Sequence, residues 1–374
     1  MPTLPLGDLL AGAHALPAPL DRPGTSFWFC GRVAIHQAIR ALGLRAGQRV
    51  ALPAFCCGSE LDVFVQAGLE PRTFALTATL DPEPDSFAAA LDGAAAALTT
   101  HYFGFAAALE PVRALCRAAG VPLIEDCAHA LYTQDAHGAL GARADLAIFS
   151  IAKTLAVPDG GALLVNRPLA APLPAASAPP AALVRQRTLS LAARHLQAHP
   201  LRAVALAARL PGLARRRFAG ATAEPDRESQ DGLARVARFD RALATTAMSA
   251  RALQLLGATH HARVVAARRR HYARLLEALA GCRGLRALFP ALAAGTCPLA
   301  LPVLVDDPVA FRARLAAGPS LGIRQMWPWY HPAVDWQACG NAAALKRRVF
   351  ILPVHQSLGA HELDHLCATL AGWS

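Results

Sequence analysis

Two short stretches carry side chains that could act together. In Val121-Pro-Leu-Ile-Glu-Asp126-Cys-Ala-His129 an apolar strand runs into an acid and, three residues on, a histidine. In Asp145-Leu-Ala-Ile-Phe-Ser150 a second apolar strand leads through Ile151 and Ala152 to Lys153, then to the turn-rich Val157-Pro-Asp-Gly-Gly161. Adjacent strand ends would present an acid and an amine to one cleft, because ligands of a parallel sheet collect at the carboxyl ends of its strands. Lysine occurs only at Lys153 and Lys346, while nearly all other positive charge is arginine. Arginine stays protonated near neutrality, so a lysine kept in such a chain is a candidate for amine chemistry. Lys346, inside Lys346-Arg347-Arg348, reads as residual chance. A third stretch, Phe29-Cys-Gly31-Arg32, opens an apolar-periodic helix whose first-turn amides could hold a phosphate.

The elements that must position these groups follow from the pattern of apolar runs. Residues 48–53, 94–99, 121–126, 144–150 and 161–166 read as strands, and 31–42, 59–67 and 111–119 as helices. The alternation predicts an α/β domain with a mostly parallel sheet. After Asn166 an alanine- and proline-rich stretch leads into a basic helical region, 185–218, so 167–218 reads as an insertion or arm. A long helix, 245–280, is expected to lead to a smaller C-terminal α/β domain with strands at 298–305 and around 351–354. The expected boundary divides residues 1–245 from 246–374.

Taken singly, these residues have plain explanations. Asp126 is as readily a capping acid, Ser150 a strand-end turn residue, and His101 and His129 structural histidines. Asp159 reads as a turn residue. Trp327, Trp329, Tyr330 and His331 could line a substrate pocket or fill a core. His361-Glu-Leu-Asp-His365 matches the zinc-peptidase pattern, but the nine residues after it hold no histidine, aspartate or glutamate, so no metal site is expected. Ser150-x-x-Lys153 also matches a serine-enzyme motif, whose companion Ser-Asp-Asn and Lys-Thr-Gly are absent.

Together, the residues resemble the DegT/StrS-type family of sugar aminotransferases. The resemblance takes in Gly31-Arg32, Leu52-Pro53, His101-Tyr-Phe-Gly104, Asp126-x-x-His129, Phe149-Ser150 with Lys153, Gly160-Gly161, Arg268 to Tyr272, and Leu352-Pro-Val-His-Gln356. It implies fold type I and pyridoxal 5'-phosphate held as a Schiff base by Lys153. It further implies that Asp126 pairs with the pyridine nitrogen, that His129 lies near the ring hydroxyl, and that Ser150 with the amides of Gly31 and Arg32 binds the phosphate. The implied reaction moves an amino group from a donor such as glutamate to a nucleotide-linked keto-sugar, in polysaccharide biosynthesis, in a homodimer. A sugar dehydratase, or a fold that has lost turnover, is the alternative. Three features depart from the family pattern. The lysine follows the serine by three residues rather than five, Cys57 stands where an aromatic residue often stacks on the ring, and no Asn-x-Arg segment lies within 238–248.

Composition agrees with this picture. The net charge of +11 suits acidic ligands, and arginines scattered without interleaved aromatics argue against nucleic acid. Nine cysteines with no C-x-x-C pair point to a reduced, cytoplasmic protein. No secretory signal or transmembrane segment is expected.

Overall fold

The computed structural model describes residues 2, 14–169, 172–198, 238–318, 321–336 and 339–373. In chain order the elements are β1 (Thr25–Trp28), α1 (Gly31–Ala41), β2 (Arg49–Pro53), α2 (Ser59–Gln66), β3 (Glu70–Phe74), α3 (Pro84–Leu91), β4 (Ala94–Thr100), α4 (Leu109–Ala119), β5 (Leu123–Asp126), the short pair β6 (Gln134–Asp135) and β7 (Gly138–Ala139), β8 (Leu146–Phe149), α5 (Ile151–Thr154) and β9 (Gly161–Val165). They are followed by α6 (Ala181–Ala198), α7 (Ala250–Gly257), α8 (His261–Leu279), β10 (Leu285–Ala287), β11 (Ala300–Val305), α9 (Pro308–Ala317), β12 (Arg324–Gln325), α10 (Ala342–Arg348), β13 (Val349–Pro353) and α11 (Ala360–Ala371).

Seven strands form one sheet in the order β1-β9-β8-β5-β4-β2-β3. The five strands β3, β2, β4, β5 and β8 are mutually parallel, and β9 runs against both β8 and β1. Because β5 and β8 are neighbours, with Asp126 opposite Ile148, the acid and the lysine turn leave the sheet side by side. Alternate residues of β4 serve opposite faces: Ala97 packs with Phe55, Phe103 and the C-terminal strands, whereas Ala96 and Leu98 pack with α1 and α2. An antiparallel sheet, β10-β11-β13-β12, forms the C-terminal unit.

The five strands and three helices expected before residue 167 are present within one or two residues at nearly every boundary. The sequence reading omitted β1, β3 and α3, together with the short β6, β7 and α5. β3 is an edge strand with an exposed Glu70 and with Pro71 inside it, so it lacks the apolar run of a central strand. The single helix expected over 245–280 is instead α7 and α8, joined through Ala258–His260. Ser249 ends the preceding extended segment and caps α7 by accepting from the Ala252 amide. Of the basic region 185–218, residues to 198 continue α6 and the remainder lies outside the described residues.

Candidate active site

Four neighbouring parallel strands, β2, β4, β5 and β8, deliver the site from their carboxyl ends. β5 ends on Asp126, which is buried, with Oδ1 accepting from the Ala128 amide at 2.8 Å. Burial pushes its pKa up to about 6; Lys153 pulls it down and the Glu60 carboxylate pushes it up. Lys153, on α5 just beyond β8, is exposed and lies within charge reach of Asp126, His129 and Cys57. The expected carboxylate and amine therefore stand close together at neighbouring strand ends.

His129 is buried, and its Nδ1 accepts from the Phe103 amide at 3.4 Å. Burial lowers its pKa well below the usual value, and the cations Lys153 and Arg324 lower it further. The ring is thus neutral at physiological pH, with its remaining proton on Nε2. Trp327 stacks on His129 with centroids 5.6 Å apart and also meets Phe55 at 5.0 Å. Phe103 and Trp327 both adopt left-handed backbone at φ 55° and 51°, a conformation that costs a bulky residue about 1–3 kcal/mol. Two such residues stacked on each other against His129 place local strain at this wall of the cleft.

At the other end, Gly31 and Ser150 form a shallow cradle. A Cβ at Gly31 would lie 3.3 Å from the Ser150 Cβ. Cys30 makes no side-chain cap for α1, whose start lies beside the Ser150 hydroxyl, while the Ile151 and Ala152 amides of α5 are taken by the Gly160 carbonyl at 3.0 and 3.4 Å. Gly161 is required here: a Cβ on it would overlap the Cys30 carbonyl and sit 2.5 Å from the Gly31 nitrogen. Arg32, half-buried beside Gly31, turns its guanidinium to the Arg238 carbonyl at 2.8 Å.

Cys57 forms the β2 side of the cleft. Its Sγ donates to Glu60 Oε2 at 2.5 Å and its amide to Oε1 at 2.9 Å. Burial first, then the Glu60 charge, push the thiol up to about 12, so the group stays protonated. Glu60 was missed in the sequence, where an acid in the first turn of a helix reads simply as favourable to the helix dipole.

Several expectations change on inspection. Lys346 is not an accident of composition: it is 1% exposed, donates to the carbonyls of Cys56 (2.6 Å) and Trp329 (3.2 Å), and lies 4.4 Å from the Trp336 ring. Asp159 is more than a turn residue, since it is buried and accepts both the amide and the hydroxyl of Ser249 at 2.8 and 2.6 Å. The aromatic cluster divides. Trp327 and Trp329 wall the cleft, Trp329 donating to the Cys57 carbonyl at 2.5 Å, while His331 pairs with Asp62 at 3.3 Å. His361 and His365 lie on the exposed side of α11. Among the described residues, the group spaced to hold a metal is His101, Glu125 and Cys127. Two of its three members are already engaged: His101 Nδ1 accepts from Ala107, Nε2 donates to Glu125 at 3.0 Å, and Glu125 also takes the amides of Gly141, Arg143 and Ala144.

This architecture is that of the fold type I transferases. The aminotransferase TlmJ from Streptoalloteichus hindustanus superposes with a TM-score of 0.64 over 94% of this chain and 85% of its own, at 22% identity. The putative sugar aminotransferase Spr1654 from Streptococcus pneumoniae, in its PLP-form, gives 0.68 over 100% and 98%, at 14% identity. Residues 30–172 match the DegT/DnrJ/EryC1/StrS aminotransferase family, the one that the sequence resembles. GDP-perosamine synthase from Vibrio cholerae is 30% identical over 146 residues, a stretch that spans 36% of this chain and 38% of that enzyme.

Proposed function

We propose that the chain is a pyridoxal-phosphate-dependent aminotransferase that passes an amino group from a donor such as glutamate to a keto-sugar, the sugar being nucleotide-linked. The observation that carries the reading is the placement of Asp126 and Lys153 at neighbouring strand ends, with the Gly31–Ser150 cradle beside them. These residues suit the cofactor. The cradle offers amides and a hydroxyl to a phosphate, and Asp126, buried beside a like-charged Glu60, would gain a cationic partner in a protonated ring nitrogen.

When bound, the cofactor supplies an electron sink for the substrate carbon that loses its proton. Lys153 would hold the cofactor covalently and, once displaced by the incoming amine, serve as the base and then the acid that moves the proton. Asp126 would keep the ring nitrogen protonated. His129, neutral and fixed through Nδ1, would present Nε2–H to the ring hydroxyl. The basic balance of the chain, +11, suits a diphosphate-bearing acceptor.

We place the protein in the cytoplasm, in keeping with nine unpaired cysteines. No helix of the described residues is long and apolar enough to cross a membrane. A homodimer is the assembly proposed.

Lys153→Arg is the direct test. It keeps the charge and should abolish the visible absorbance of the bound cofactor; an unchanged spectrum would assign the attachment elsewhere. Glutamate should convert the bound cofactor of the wild-type protein to its amine form, and candidate nucleotide keto-sugars should then discharge it, with the amine product followed by mass. A cofactor-loaded protein inert to every amino donor would exclude the transaminase reading.

A further inference from the structure

Thr154 directly follows Lys153, and its carbonyl oxygen is held from outside the seven-stranded sheet. Arg268 Nη2, on α8, donates to it at 2.8 Å, and Gln356 Nε2, just past β13, donates at 3.1 Å. The two donors are joined, Arg268 Nε to Gln356 Oε1 at 3.0 Å. Arg268 Nη1 spans the carbonyls of Pro298 and Leu299 at 3.2 and 3.1 Å.

This guanidinium is 1% exposed, and every partner named is a neutral oxygen. Burying a full charge without a carboxylate is costly, and an apolar side chain of similar volume would pack such a site more cheaply. The arrangement therefore points to something a hydrophobic residue could not do. What it does is tie the Thr154 carbonyl to those of Pro298 and Leu299 in the C-terminal part of the chain.

The lysine turn needs fixing. α5 spans four residues, and its 2.9 Å bond from the Leu155 amide to the Ile151 carbonyl is a single helical turn, too short to be stable alone. Its N-terminal side is held by the Gly160 carbonyl, which accepts from the Ile151 and Ala152 amides at 3.0 and 3.4 Å, so the side where Thr154 lies depends on contacts from elsewhere. A loose turn would let the amine at the end of its flexible four-carbon stem wander across the cleft.

We propose that Arg268 and Gln356 are positioning residues for Lys153: by clamping the Thr154 carbonyl they set where the lysine amine stands relative to Asp126. The proposal rests on the reading of Lys153 as the attachment point. It also makes the lysine's position depend on α8 and the C-terminal sheet.

The test uses the full chain and pyridoxal 5'-phosphate itself. Covalent attachment at Lys153 is trapped by borohydride at timed intervals and read by mass on the Lys153 peptide, for the wild type, Gln356→Leu, Arg268→Lys and the double variant. Amide deuterium exchange of residues 151–155 is followed in the cofactor-free chain, with circular dichroism and melting to confirm folding. Gln356→Leu removes one donor and leaves the arginine. It should fold, exchange faster at 151–155, and attach the cofactor several-fold more slowly. Arg268→Lys should slow attachment by roughly ten- to hundredfold, the size expected when a reacting group is misplaced by about 1 Å. Because both act on one oxygen, the double variant should be slowed by less than the product of the two. In turnover the loss should fall on kcat, with the KM for the amino donor changed less than about twofold.

Folded Gln356→Leu and Arg268→Lys proteins that attach cofactor at the wild-type rate would overturn the clamp. If Arg268→Lys does not fold, the Gln356→Leu rate alone decides. A wild-type chain that never attaches cofactor at Lys153 would instead overturn the aminotransferase reading.

Discussion

The ammonium of Lys346 donates to the carbonyl of Cys56 across 2.6 Å, tying α10 to the loop that carries Cys57. Trp329 ties the same loop through the Cys57 carbonyl. Burial lowers the pKa of Lys346, while the nearby Cys56 thiol and Glu60 raise it. Replacing the lysine with methionine keeps the volume but leaves buried carbonyls without a donor, which costs about 1–3 kcal/mol for each. Lys346→Met should therefore melt at lower temperature and bind pyridoxal phosphate more weakly, as measured by calorimetry and by cofactor titration. An unchanged melting temperature and affinity would return Lys346 to the status of a chance survivor.

Asp126 gives a pH dependence whose sign can be worked out. In the cofactor-free chain its pKa rises from 3.8 to about 6 on folding, chiefly through burial. A group whose pKa is raised by folding contributes stability that is complete below pH 3.8 and lost as the pH climbs through 6. The loss amounts to about 3 kcal/mol, from roughly two pKa units at 1.36 kcal/mol each. Asp126→Asn should thus make the cofactor-free protein more stable than wild type at pH 7–8. The difference should shrink as the pH falls from 6 toward 4. Urea unfolding at several pH values checks this, and parallel curves across that window would contradict it. With cofactor present the same substitution should slow turnover severely, because the ring nitrogen loses its anion.

The sequence revealed those parts of the site whose chemistry is concentrated in one side chain at one strand end. Asp126, His129, Ser150 and Lys153 each follow an apolar run, so topology alone brings them together. What stayed hidden depends on contacts between distant segments. Lys346 in an arginine-rich trio gives no sign that its amine reaches Cys56, 290 residues away in the chain. Asp159 looks like any turn acid until Ser249 is seen to bind it. β3 was illegible for a local reason, because an edge strand carrying Glu70 and Pro71 shows no buried period. Composition misled at 245–280 as well, since alanine- and arginine-rich sequence stays helix-favouring across the break at Ala258–His260.

Cys57 should be an inert thiol despite facing the cleft. With its pKa pushed up to about 12, the thiolate fraction at pH 8 is about one part in ten thousand, four units below the titration point. Iodoacetamide at pH 8, mapped by mass, should leave Cys57 unmodified long after an ordinary exposed cysteine has reacted. Glu60→Gln removes the carboxylate that raises the thiol and accepts its proton, so labelling of Cys57 should accelerate. Rapid labelling of the wild-type residue would contradict the Cys57–Glu60 pairing.

Gly161→Ala tests whether the cradle depends on the close approach of β9 to the start of α1. The added methyl would overlap the Cys30 carbonyl and crowd the Gly31 amide, both of which are backbone and cannot rotate away. Overpacking of this kind costs about 1–3 kcal/mol and occasionally more, and here it would be relieved by moving Gly31 away from the sheet. That motion separates the first-turn amides from Ser150, so the affinity for pyridoxal phosphate should fall more than the affinity for pyridoxal, which lacks the phosphate. Comparing the two ligands isolates the cradle from general destabilisation. Equal losses for both would mean that the phosphate is held elsewhere.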